Sequence, residues 1–126
     1  MKLGFQNFWQ RITPTGIFRG LLFAALVATF VMMATGSAVR ASDAATACPD
    51  WPTCFGQWGL PQGQAAQTQV FHRVLAAVAA LLVFAVAGLA GRLGQTTRRV
   101  RAMLNTAALL MLAQLFLGGG LVLGGA

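Results

Sequence analysis

Few side chains in this sequence offer chemistry beyond packing. Of 126 residues, two are acidic, one is histidine and two are cysteine. The cysteines lie six apart in Cys48-Pro-Asp-Trp-Pro-Thr-Cys54. Five intervening residues with two prolines can turn the chain back and bring the two Cβ atoms together. Three readings fit: a disulfide that staples an irregular loop, contributing about 2–3 kcal/mol; a redox couple; or free thiols or metal ligands. Zinc fits poorly, because only one histidine exists and the clustered ligands stop at two. That histidine stands in Gln69-Val-Phe-His72-Arg73. It serves either as a boundary anchor or, through a neutral imidazole nitrogen, as an axial ligand of heme iron. Gln69, three residues earlier, shares its helical face one turn away. The Arg73 fork matches a carboxylate such as a heme propionate.

The elements that must position these groups are set by composition. Hydrophobic residues make up 57% and charged residues 9%, against about 25% charged in a soluble domain. That excludes an ordinary globular protein, and disorder needs the opposite balance. Fifteen glycines without a fixed period exclude a collagen-like chain. The expected class is an all-α membrane protein with three transmembrane helices in one domain, at about 18–39, 70–92 and 102–124. Each run approaches the roughly 20 residues that span a bilayer as a helix. A signal peptide is the competing reading of the first run, opposed by its length and by the spans that follow.

Charge sets the orientation. Lys2, Arg11 and Arg19 precede the first span, and Arg92, Arg98, Arg99 and Arg101 lie in or beside the 93–101 loop. In the 40–69 loop and its edges, Arg40 and Arg73 are balanced by Asp43 and Asp50. Positive charge marks the cytoplasmic side, so the amino terminus is expected inside and both the cysteine loop and the carboxy terminus outside. This is a bacterial-type inner-membrane arrangement. The net charge of +7 is thus accounted for by topology, with no nucleic-acid partner. On the outer, oxidising face a disulfide persists. Trp51, Phe55 and Trp58 suit either the headgroup interface or a loop that caps an apolar ligand. In the third span, Gln114, Gly118-Gly119-Gly120 and the Gly120/Gly124 spacing allow close helix packing, or room for a flat ligand against bare backbone.

Taken together, Thr35-Gly-Ser-Ala-Val-Arg40, then Cys48-Pro-Asp-Trp-Pro-Thr-Cys54-Phe-Gly, then His72-Arg73 resemble the amino-terminal half of the heme A synthases. Gln114-Leu-Phe-Leu-Gly118-Gly119 resembles that family's third helix. The likeness runs from about residue 30 onward, and the cysteine loop is its more specific part. It implies a four-helix heme-binding bundle, two of which make the family's eight-helix protein. The family's activity is oxidation of a methyl group of heme O to the formyl group of heme A, in cytochrome oxidase cofactor biosynthesis. By resemblance, His72 is a ligand of heme B or heme O, and Cys48 and Cys54 are the cysteine pair of the first outer loop.

Two departures stand out. Family members generally carry glutamate three residues before that histidine, a carboxylate implicated in the reaction; at this candidate catalytic position the chain has Gln69, which cannot ionise or take a proton. The chain also stops where a fourth helix with a second histidine is expected, so a second copy or another subunit is expected to supply that helix. A half-size heme A synthase-like protein is therefore the leading expectation. A structural subunit of a respiratory or photosynthetic membrane complex is the alternative, and a membrane thiol–disulfide oxidoreductase stands third. Membrane lipid and heme are the other expected partners.

Overall fold

The computed structural model describes residues 14–94 and 96–124; Lys2, Arg11, Gly125 and Ala126 lie outside the described residues. Three long helices account for most of the chain: α1 Pro14–Ala41, α2 Gln64–Leu93 and α3 Arg98–Leu123. A single 3₁₀ turn, Ala44–Thr46, follows α1. Among the described residues there is no strand, only an isolated antiparallel bridge between Cys54 and Gln57. All three helices are long and apolar enough to cross a membrane. The chain is an all-α, multi-pass membrane protein.

Each helix outruns its apolar run, because hydropathy registers only the greasy middle. α2 begins at Gln64, six residues ahead of the expected span, on Gln64-Ala-Ala-Gln67. Alanine and glutamine are good helix formers, so the polar first turns fold with the rest. The connecting loop is correspondingly shorter than 40–69. Gly94, at φ 60, closes α2 in the left-handed conformation that glycine adopts without strain. Thr97 opens α3, its hydroxyl accepting the Val100 N–H at 3.3 Å.

α2 is the helix on which both others pack. Its contact stripe is made of small residues, with Ala79 and Ala90 fully buried and Val86 nearly so. Ala79 and Ala80 meet Met111 of α3, and Ala28 and Met32 of α1 close on the same cluster. In lipid, association rests on this close packing rather than on burial from water. Outward-facing Phe23, Phe30, Leu81, Leu109 and Phe116 stay exposed, as a lipid-facing surface requires. With α2 at the back, α1 and α3 flank an apolar groove of about 2050 Å³.

Candidate functional site

The loop end of the groove is organised by one carboxylate. Asp50 accepts the Phe55 N–H at 2.6 Å and the Gly56 N–H at 2.8 Å, and it also accepts the Thr53 hydroxyl. These bonds hold a tight reversal in which Phe55 and Gly56 both have positive φ, 54° and 70°. The Thr53 hydroxyl first, then the Gly56 amide and more weakly the Phe55 amide, lower the Asp50 carboxyl below its ordinary pKa of 3.8, with burial opposing them in part. Sequence reasoning counted Asp50 only as a charge; the readable signal was an Asx residue with turn-forming neighbours.

Within that reversal Cys48 and Cys54 are joined by a disulfide with Cα atoms 4.9 Å apart. Both cysteines are buried, at 1% and 3% exposure, against Ala66 of α2. Burial limits the access of a partner thiol to either sulfur, although Cys54 also lines the groove. The geometry is that of a staple holding the loop onto the first turns of α2.

Gln69 belongs to the same arrangement. Its Oε1 accepts the Cys48 N–H at 2.8 Å, and its Nε2 donates to the Ala45 carbonyl at 2.7 Å. The side chain is buried at 4% exposure and does not line the groove. One helical turn on, Arg73 reaches the other side of the loop, Nη1 donating to the Thr53 carbonyl and, at 3.4 Å, to that of Pro52. Arg73 also lines the groove, and its Nη2 is buried without a hydrogen-bond partner among the described residues.

His72 does face the groove. Its Nδ1 lies 3.1 Å from the Thr35 hydroxyl of α1. Beneath the ring is Gly36: a Cβ there would stand 3.0 Å from His72 Cε1 and 3.6 Å from Nε2. A side chain at this position would press the ring away by a few tenths of an ångström. Gln69 and His72, one turn apart on α2, thus serve different neighbours, the loop and α1.

Trp51 roofs the site. A Cβ on Gly119 would meet the indole Cδ2 at 3.2 Å, so the ring packs on the bare backbone of α3. The space that the glycine tract was expected to leave for a flat ligand is, at Gly119, filled by this tryptophan. Gly118 and Gly120 have open space around them, and Gly118 and Gln114 line the groove. Gly120 and Gly124 mark the end of α3, where the Gly124 N–H meets the Gly120 carbonyl at 2.8 Å.

Among the described residues no three metal-binding side chains converge. A single imidazole on an apolar wall fits a metal whose other donors come from its own macrocycle, because a porphyrin supplies four nitrogens and asks the protein only for axial ligands. The dimensions and apolar lining of the groove also suit a flat, greasy ring system.

Comparison with known proteins agrees with the family resemblance. Residues 19–71 match the COX15-CtaA family, described as cytochrome oxidase assembly protein. The heme A synthase of Geobacillus thermodenitrificans is 31% identical over 74 residues, 55% of this chain and 23% of that protein. Protoheme IX farnesyltransferase 1 of Natronomonas pharaonis is 39% identical over 109 residues, 86% of this chain and 23% of that protein. A protoheme IX farnesyltransferase of Halobacterium salinarum is 35% identical over 101 residues, 80% and 22% respectively. The chain therefore spans about a quarter of the length of these relatives. No solved structure matches.

Proposed function

We propose that this three-helix membrane protein, of COX15-CtaA type over residues 19–71, holds a heme in the groove with His72 as an axial ligand. The observation that carries the reading is the seat of His72, an imidazole bonded to Thr35 and laid on Gly36 at the groove wall. The relatives add support, since the names of both kinds concern heme or its modification.

Heme bound here supplies iron-centred redox chemistry. The finer proposal is that heme O is the substrate, its methyl group oxidised by four electrons to the formyl of heme A within a larger assembly that would supply the electron acceptor and the oxygen atom, with heme B the alternative occupant. The chain's own residues bind and orient. His72 fixes the iron's position along the groove, and Trp51 closes the loop end. Arg73 keeps one guanidinium nitrogen on the loop carbonyls and offers its charge to a propionate. Gln69 has no proton to exchange and acts through the loop it holds. Further helices, whichever chain carries them, would close the open side between α1 and α3.

The distribution of arginines supports a cytoplasmic-membrane location with the amino terminus inside. The cysteine loop and the carboxy end of α3 then lie on the oxidising side, where the Cys48–Cys54 bond is stable.

The test is hemin titration of the purified protein in mild detergent, followed by the heme absorption band, with His72→Ala alongside. Saturable binding lost in His72→Ala is the expected result. Binding unchanged by that substitution rejects the axial assignment, because the chain has no other imidazole. A colourless protein that co-purifies with a larger complex supports the structural-subunit alternative.

A further inference from the structure

The Thr35 hydroxyl has one proton and two lone pairs. It lies 2.9 Å from the Met32 carbonyl of its own helix, to which it donates, and 3.1 Å from His72 Nδ1. Donation back to a carbonyl three or four residues earlier is the ordinary habit of a helical threonine. With its proton committed to Met32, Thr35 has only a lone pair to give His72. The imidazole must then be the donor, through Nδ1–H.

We infer that Thr35 is a positioning residue that holds His72 in the Nδ1–H tautomer and leaves the Nε2 lone pair as the free one. Gly36 completes the seat. Without a Cβ at Gly36, the Cε1 corner of the ring lies close against α1 while Nδ1 keeps its contact with Thr35. A half-turn of the ring would set Cδ2 against the hydroxyl in place of Nδ1 and forfeit the bond. The nitrogen that binds a metal is set by the hydrogen bond the other one makes. Free histidine in water prefers the opposite tautomer, with the proton on Nε2, which would block that atom as a ligand. The tautomer rests on the Thr35 contacts with Met32 and His72; its use, presenting Nε2 to heme iron, rests on the function proposed above.

His72 is the single histidine, so selective labelling reports on it without assignment. The full chain would be made by cell-free synthesis with ¹⁵N-histidine in detergent micelles, without heme. Nitrogen spectra would be recorded well above the ordinary imidazole pKa of about 6.5. The expected spectrum has Nδ1 in the protonated range and Nε2 in the unprotonated range. Thr35→Val should move both signals toward the values of mixed tautomers, and Thr35→Ser should restore the wild-type pattern. A wild-type spectrum with the proton on Nε2 overturns the inference, as does an unchanged spectrum in a helical Thr35→Val protein. If the valine variant does not fold, the wild-type spectrum still decides the tautomer.

Hemin titration then separates this inference from the heme reading. Thr35→Val should weaken hemin binding by roughly 10-fold, the low end of losses seen when a ligand's supporting hydrogen bond is removed; Thr35→Ser should bind like wild type. An Nδ1–H spectrum with no hemin binding in any variant rejects the heme reading and upholds the tautomer. Hemin binding through His72 with an Nε2–H spectrum does the reverse.

Discussion

Gln69 and Cys48 are joined across 21 residues of sequence, the side-chain Oε1 accepting the cysteine's backbone N–H at 2.8 Å, while the same amide donates to Ala45 at 2.7 Å. An amide suits this position because it offers one acceptor and one donor to a backbone that presents one of each. A carboxylate keeps the Cys48 contact but turns its second oxygen toward the Ala45 carbonyl. This changes the meaning of the glutamine that replaces the family's glutamate. Here it is a clasp between α2 and the loop.

Gln69→Glu and Gln69→Leu should therefore loosen the loop before they affect anything in the groove. Each lost hydrogen bond costs about 1 kcal/mol net, which is roughly five-fold in the population of opened loops. The rate of disulfide reduction by a small thiol in detergent should rise by about that factor in Gln69→Glu and further in Gln69→Leu. Reduction rates equal to wild type in both variants would remove the clasp role.

Cys48 and Cys54 should resist thiol-specific labels in the native protein and react after reduction under denaturing conditions. Replacing both by serine removes a small closed loop, worth about 2 kcal/mol in the chain-entropy account, and should lower the thermal midpoint of the loop's unfolding. Labelling of either cysteine before reduction would contradict the bonded pair.

Acid should open the loop late. The Asp50 carboxyl is lowered in the folded chain by the Thr53 hydroxyl and by the Gly56 and Phe55 amides. A depressed folded value means that its contribution is complete above the unfolded value, about 3.9, and is lost as pH falls through the lower folded one. The Phe55 and Gly56 amide signals should stay constant on acidification to about pH 4 and move only below it. Movement centred above the ordinary aspartate value would show that the carboxylate does not organise the turn. Asp50→Ala should shift the same signals at neutral pH.

Gly36→Ala places a methyl 3.0 Å from His72 Cε1, so the ring must give by a few tenths of an ångström, which disturbs its contact with Thr35. Hemin affinity should fall by roughly 10-fold, in line with loss of a ligand's supporting contact. The helical circular dichroism should be unchanged, because alanine favours the helix. Undiminished affinity would mean that the ring has room to relocate without losing its role.

Gly119→Val should lift the Trp51 indole from α3, since even a Cβ would come within 3.2 Å of Cδ2. In a background lacking Trp9 and Trp58, the emission of Trp51 should shift as its environment changes. Trp51 is 41% exposed and has room to swing outward, so the loss of stability should stay within about 1–3 kcal/mol, the range for overpacking. An unaltered emission spectrum would place the indole elsewhere.

Residue type and near-neighbour order were enough to set the class of this protein. Three long, predominantly apolar runs must cross a membrane as helices, because the bilayer interior satisfies no backbone groups that the chain leaves unpaired. The residues that matter, Cys48, Cys54, Gln69, His72 and Arg73, could be picked out because so few polar groups remain in a chain this apolar. Even the disulfide was among the expected readings, since its partners are only six residues apart.

The direction each side chain takes came from the packing of the helices. Thr35 and His72 are 37 residues apart, Gln69 and Ala45 24 apart, and Trp51 meets Gly119 from the far side of α2. Helical spacing places Gln69 and His72 on neighbouring positions of one face and predicts a shared role. Their separation follows from what packs there: the stapled loop lies against Gln69 and α1 lies against His72. Which partner a side chain finds is fixed by the crossing of the helices, and a list of residue types does not contain that.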